Sequence, residues 1–205
     1  MSVPAVGILD VLQREGMRIF RTGDAMTLTG LKEPAAAHAL GRLADNNLLI
    51  KVRRGLWALA GAKDLSAYEL VPFLTAPWPG YVSLHTALSI HGVVAEIPHV
   101  VTAVTSGRPL KHRAALGDFR IHHLPERFMW GFEMRPSAGG AFPLADPEKA
   151  FLDLIYLASV PSSGLRPPQK RGRRWALDAN KLKAYAKRFD VQPVTDFLKA
   201  NKLYD

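Results

Sequence analysis

The chain has 205 residues, 48% of them apolar, no cysteine, and a formal charge of +9 from 27 basic and 18 acidic side chains. That apolar share is enough to bury a core unaided, so wholesale disorder is excluded, and the missing cysteines exclude disulfides, thiolate catalysis and cysteine-ligated zinc. No run approaches the roughly 18 apolar residues of a membrane-spanning helix, and Met1-Ser2-Val3-Pro4 lacks the basic-then-apolar layout of a secretory signal, so a cytoplasmic protein with no membrane partner is expected.

The charge is unevenly spread. Residues 1–62 carry eight basic and five acidic side chains, 63–160 eight and nine, and 161–205 eleven and four. Two basic ends around a neutral middle favour a polyanionic partner, because each Lys or Arg that meets a phosphate releases condensed counterions.

In chain order, Ile8, Leu9 and Leu12 stand at helical spacing and the pattern stops at Glu15-Gly16, where glycine can take the left-handed cap. An extended piece over 17–20 precedes a short helix over 22–27, with Thr22 as its expected N-cap and Leu28-Thr29-Gly30 as its closing turn. A third helix starts near Pro34, whose fixed φ suits a first turn, and runs to Asn46 and Asn47. Leu31, Leu40, Leu43 and Leu48 are assigned to the core, which leaves Ala35, His38, Ala39, Arg42 and Asn46 on the opposite face. Residues 48–59 then read as two strands around an Arg53-Arg54-Gly55 turn, a wing.

Further along, Ser66-Ala67-Tyr68-Glu69 has the form of a capping box opening a helix through Phe73-Leu74, and Pro77-Trp78-Pro79-Gly80 breaks the chain. Trp78 and Tyr81, flanked by prolines, are candidates to pin two domains together. Ser83 is the expected cap of a helix over 84–91 that ends at Gly92. Runs 99–105, 118–124 and 129–135 have the β-branched and aromatic content of a small antiparallel sheet. Asp146-Pro147-Glu148 supplies cap, first-turn proline and dipole-complementing acid for an apolar helix over 148–158. Its acids, Asp146 to Asp153, read as cap, dipole partner and exposed helix face. Residues 161–174 have linker composition, and helices over 179–189 and 194–202 follow.

The expected fold is α+β. A winged helix-turn-helix spans 1–61, and 62–205 form a mixed α+β domain with a small antiparallel sheet, a basic linker over 161–174 and carboxy-terminal helices. In that reading the small side chains of the third helix permit close approach to a major groove about 12 Å wide. His38, Arg42 and Asn46 reach bases or phosphates, Ala35 lies against the groove, and Lys32, Lys51, Arg53 and Arg54 grip the backbone. The competing reading of the same pattern is a structural or protein-binding winged helix. Arg171, Arg173, Arg174, Lys181, Lys183 and Lys187, with Trp175 nearby, are candidates for further nucleic-acid or partner contacts, against the plainer reading of a solvated face and linker.

Enzymatic signals are weak. His85 and His91 fall on different helix faces, His122 and His123 alternate across a strand, and no P-loop, G-x-S-x-G elbow or paired acids of a nucleotidyltransferase occur. No catalytic residue, cofactor or metal is therefore assigned.

Five groups of residues carry a resemblance. Phe20-Arg21-Thr22-Gly23-Asp24-Ala25, the run from Leu40 through Leu49, and Arg53-Arg54-Gly55-Leu56-Trp57-Ala58-Leu59 resemble the amino-terminal domain of AbiEi-type antitoxins of type IV toxin-antitoxin systems. The run from Tyr81 through Gly92 and that from Asp146 through Tyr156 resemble the carboxy-terminal antitoxin region of the same family. The resemblance implies autorepression through inverted repeats in promoter DNA and neutralisation of a nucleotidyltransferase-like toxin without a stable complex. It does not account for the 161–174 linker. The alternatives are a stand-alone winged-helix regulator and a binding module acting through the basic tail.

Overall fold

A computed structural model describes residues 5–62, 64–169 and 175–203. Chain contacts divide it into two compact units. The first comprises residues up to Leu70 together with 113–117 and 137–140; the second holds the remainder.

In the first unit, α1 (Ala5–Arg14), α2 (Thr22–Thr29) and α3 (Glu33–Asp45) pack on a three-stranded antiparallel sheet of β1 (Ile19–Arg21), β2 (Leu49–Arg53) and β3 (Leu56–Leu59), in the order β1-β3-β2. The extended piece before the second helix is thus a strand, paired through Phe20 with Trp57. Ile8, Leu12, Phe20, Leu40, Leu43, Leu49 and Trp57 form the core. Glycines take the left-handed backbone where α1 and α2 end, at Gly16 with φ 65° and Gly30 with φ 68°.

Three details differ from the sequence expectation. Thr22 does not cap α2: Arg21 precedes the helix and its N–H donates to Asp24 Oδ2 at 2.6 Å, while the Thr22 hydroxyl accepts the Trp57 indole N–H at 3.0 Å. Leu48 is 40% exposed, outside the core assigned to it, because the chain turns at Asn47 (φ 57°) before β2 begins. Ala39, assigned to the open face of α3, is buried beside Leu40 and Leu43, as is Ala36.

Half of the box expected of Ser66 and Glu69 forms: Ser66 N–H donates to Glu69 Oε1 at 3.1 Å, but the Ser66 hydroxyl accepts from Tyr68 N–H at 3.3 Å and not from Glu69. They open a 3-10 turn, Ala67–Leu70, ahead of the short helix α4 (Val71–Thr75). Glu69 also accepts from Arg18 at 2.7 Å and from the Ser137 hydroxyl at 2.8 Å, so one buried carboxylate ties three stretches of the first unit together.

The second unit corrects the small antiparallel sheet. Its sheet has six strands in the order β6-β7-β5-β4-β9-β8: β4 (Gly80–Val82), β5 (Val100–Thr105), β6 (Leu110–Ala114), β7 (Gly117–His123), β8 (Phe132–Pro136) and β9 (Ala141–Ala145). The pairings are mixed, with β5 parallel to β7 and β4 parallel to β9, while β4 with β5 and β8 with β9 run antiparallel. The parallel pairings join stretches distant in sequence, which local turn signals do not report.

Helices α5 (Leu84–Ile90), α6 (Pro147–Ala158), α7 (Ala179–Phe189) and α8 (Gln192–Ala200) complete this unit. Asp146 caps α6 as expected, accepting from Lys149 N–H at 2.8 Å, and Asp178 caps α7. Tyr81 lies in this unit's core, stacked on Phe132 at 4.4 Å, and Trp78 packs its ring over Gly107, where a Cβ would lie 2.4 Å from the indole. No described helix is long and apolar enough to cross a membrane.

Candidate nucleic-acid interface

Helix α3 owes its two faces to its sequence. Ala36, Ala39, Leu40 and Leu43 repeat at three and four residues and are buried, so Ala35, His38, Arg42 and Asn46, also three and four apart, line the exposed side. Pro34 in the first turn and Glu33 near the positive end of the dipole fix where the helix starts, and Lys32 stands exposed just before it. Thirteen residues at about 1.5 Å each make a rod of about 20 Å, long enough to cross a groove. Among the described residues no carboxylate pairs with Lys32, His38, Arg42 or Arg54. Asn46 differs from expectation, since its amide donates to the Arg42 carbonyl at 2.7 Å and closes the end of α3.

The β2-β3 hairpin turns tightly. Arg53 is opposite Leu56, and Arg54 and Gly55 make the loop, with Gly55 at φ 73° where an L side chain is strained. The Thr22 N–H donates to the Gly55 carbonyl at 3.0 Å, anchoring the turn to the start of α2. Arg54 is exposed at the tip. Lys51 is exposed too, its ammonium 5.7 Å from the Trp57 ring centroid.

The register adds a residue that the sequence reading missed. Leu56 pairs with Arg21 on one side and Arg53 on the other, so the two arginines share one rung and one face of the sheet. Partial burial and then the Arg21 charge hold the Arg53 guanidinium below its ordinary pKa. Only recognising 19–21 as a strand could have placed Arg21 there.

The carboxy-terminal cations are differently placed. Lys181 reaches Asp146 at 3.2 Å and Glu148 at 3.3 Å; burial pulls its pKa down, but these two acids hold it above the ordinary value. Lys183 is half-buried and Lys187 is exposed. Arg188, next in the same basic cluster, stacks on Trp130 at 4.2 Å. Arg171, Arg173 and Arg174 lie outside the described residues.

The acids of α6 also depart from expectation. Glu148 and Asp153 are buried, not on an exposed face, and so is Lys149. Asp153 pairs with the Lys149 ammonium and accepts from the Tyr81 hydroxyl at 3.0 Å and the Ser83 hydroxyl at 2.9 Å. Ser83 is therefore not the side-chain cap of α5 expected for it. The Lys149 ammonium also donates to Tyr81 Oη at 2.8 Å and lies 5.0 to 5.4 Å from the rings of Trp130, Phe189 and Tyr81. Burial lowers the Lys149 pKa against the pull of Asp153, and burial raises that of Asp153 against the pull of Lys149 and the hydroxyls. Ala150, Phe151, Leu152, Leu154, Ile155 and Leu157 spread round α6 and are buried with it, a pattern that says the helix is covered but not by which partners.

The His91 Nε2–H donates to the Ala145 carbonyl at 2.8 Å, a structural contact, and among the described residues no group of three or more His, Cys, Asp and Glu is placed to hold a metal.

Against known proteins, residues 8–60 match the family model described as a transcriptional regulator, AbiEi antitoxin. The match lies within the first unit and takes in α1, α2, α3 and the three strands beside them. The likeness is confined to this segment, about a quarter of the chain. No curated protein matches the chain.

Proposed function

With the antitoxin-regulator match over residues 8–60 as premise, we propose that the chain is a DNA-binding autorepressor and antitoxin of a toxin-antitoxin operon. Residues 1–61 act as a winged helix-turn-helix: α3 enters the major groove with Ala35, His38 and Arg42 facing the bases, and Lys32, Lys51, Arg53 and Arg54 hold phosphates. Asn46, with its amide engaged at the helix end, serves the fold first. Residues 62–205 carry the antitoxin role, countering a nucleotidyltransferase-like toxin without a stable complex, and the protein uses no catalytic residue and no cofactor. The observation that carries the reading is the row of basic side chains on the open face of α3 and at the hairpin tip, with no carboxylate partner among the described residues at Lys32, His38, Arg42 and Arg54, inside the segment that matches the regulator family.

The experiment is a salt titration of binding to the promoter DNA upstream of the gene, against scrambled DNA of equal length. Sequence reading requires a preference of about a thousandfold or more for the promoter. Equal affinity for both, with a steep salt dependence, refutes sequence reading and leaves charge alone. Co-expression with the neighbouring toxin gene, with and without residues 62–205, tests the antitoxin half separately.

A further inference from the structure

A cavity of about 970 Å³ opens in the second unit, apart from the proposed DNA-reading residues. Its apolar wall is Leu154 of α6 and Trp175, whose indole is fixed edge-to-face by Phe151 at 4.9 Å. Its polar wall is His85, His99 and Arg166, with Glu96 the one acid in the lining. Among the described residues Arg166 and His99 have neither a hydrogen bond nor an ion pair, so two donors face the space unspent.

The basic character continues behind His85. His122 on β7 is buried, and its Nε2 has no hydrogen-bond partner among the described residues. The β5-β7 register places His122 and Arg120 opposite Val104 and Thr102, and Thr102 bonds to Thr86 and Ser83 at α5, beside His85. A lining that sets Arg166, His85 and His99 against one carboxylate suits an anion better than a metal ion. Its size falls at the upper end of the roughly 300–1,000 Å³ of small-molecule sites.

We propose that this cavity binds a nucleoside phosphate, the planar base against Trp175 and Leu154 and the phosphate on Arg166, His85 and His99. A bare anion leaves the apolar wall unused, and an apolar ligand leaves Arg166 and His99 unpaired. A free nucleotide and the phosphorylated end of a single strand share this chemistry. The site stands on the second unit's geometry alone and is independent of the DNA-binding reading.

Titration calorimetry on the full chain tests it, with ATP, GTP, CTP and UTP, the matching nucleosides, inorganic phosphate and a short 5′-phosphorylated single strand. At least one nucleotide is expected to bind with Kd below about 1 mM, at least about tenfold tighter than its nucleoside or phosphate alone. Arg166→Ala, at an exposed position that leaves packing intact, weakens it about tenfold or more, as expected when a charge-assisted hydrogen bond is removed. The Arg53→Ala/Arg54→Ala double variant leaves it unchanged. Tighter binding of the single strand than of any mononucleotide identifies the source as a nucleic-acid end, and the reverse order a free nucleotide. No nucleotide binding up to about 1 mM, or binding abolished by replacing Arg53 and Arg54 but kept without Arg166, overturns the proposal.

Discussion

Lys149→Met isolates the buried ion pair of α6. In the native structure Asp153 and Lys149 are both fully buried, and the carboxylate is satisfied by the ammonium and by the hydroxyls of Tyr81 and Ser83. Methionine fills similar volume inside the rings of Trp130, Phe189 and Tyr81 but leaves a buried carboxylate with two neutral donors. Removing one member of such a pair costs about 3–5 kcal/mol, a large part of the roughly 5–15 kcal/mol that holds a domain folded. Converting both members, Lys149→Met with Asp153→Leu, removes the stranded charge as well as the pair. It should recover most of the loss, because replacing a whole buried pair with apolar groups is about neutral. Urea unfolding followed by tryptophan fluorescence gives all three stabilities. A loss below about 1 kcal/mol for Lys149→Met, or a double variant no more stable than the single one, refutes the premise that the charge is stranded.

Other measurements address the interface and the histidines. Arg42→Ala should cost about 1–3 kcal/mol on promoter DNA and little on scrambled DNA if the guanidinium contacts a base; equal losses on both would make it a phosphate contact. Replacing Arg53 and Arg54 by Ala should weaken all sequences alike and lower the salt slope by about one for each phosphate no longer neutralised, and Arg21→Ala should act in the same way. An unchanged slope for Arg21→Ala removes that residue from the surface. Burial, then Arg120, His85 and Lys111, hold the His122 pKa below its ordinary 6.5. The unfolded chain therefore binds the extra proton, and the stability this confers is complete above 6.5 and lost as pH falls through 6.5 toward the lowered value. Urea midpoints at pH 7.5 and 5.5 should drop less in His122→Gln than in the native protein; parallel drops would assign the effect elsewhere, first to His85, whose pKa burial also lowers.

The local elements were legible because their causes are local. Apolar residues at three and four positions placed α1 and α3, Asp146-Pro147 placed the start of α6, and Arg54-Gly55 placed the hairpin turn, each within one or two turns of chain. The exposed face of α3 followed from the same periodicity, with Ala39 misplaced because an alanine fits either side and only packing against Leu40 and Leu43 decides it.

What depends on distant partners was not legible. Arg21 joins Arg53 only because β1 pairs with β3 across more than thirty residues, and the parallel pairings of β5 with β7 and β4 with β9 leave no turn signal between the strands. The same holds for charge. Lys149 and Asp153, four apart on a helix, have the spacing of a surface salt bridge, and Lys181 that of a solvated cation; the sequence by itself determined the helices and their spacing. The tertiary structure decided which of those charges meet water, because burial is set by the neighbours that cover a side chain, and here those neighbours, Tyr81, Trp130 and Phe189, come from three distant parts of the chain.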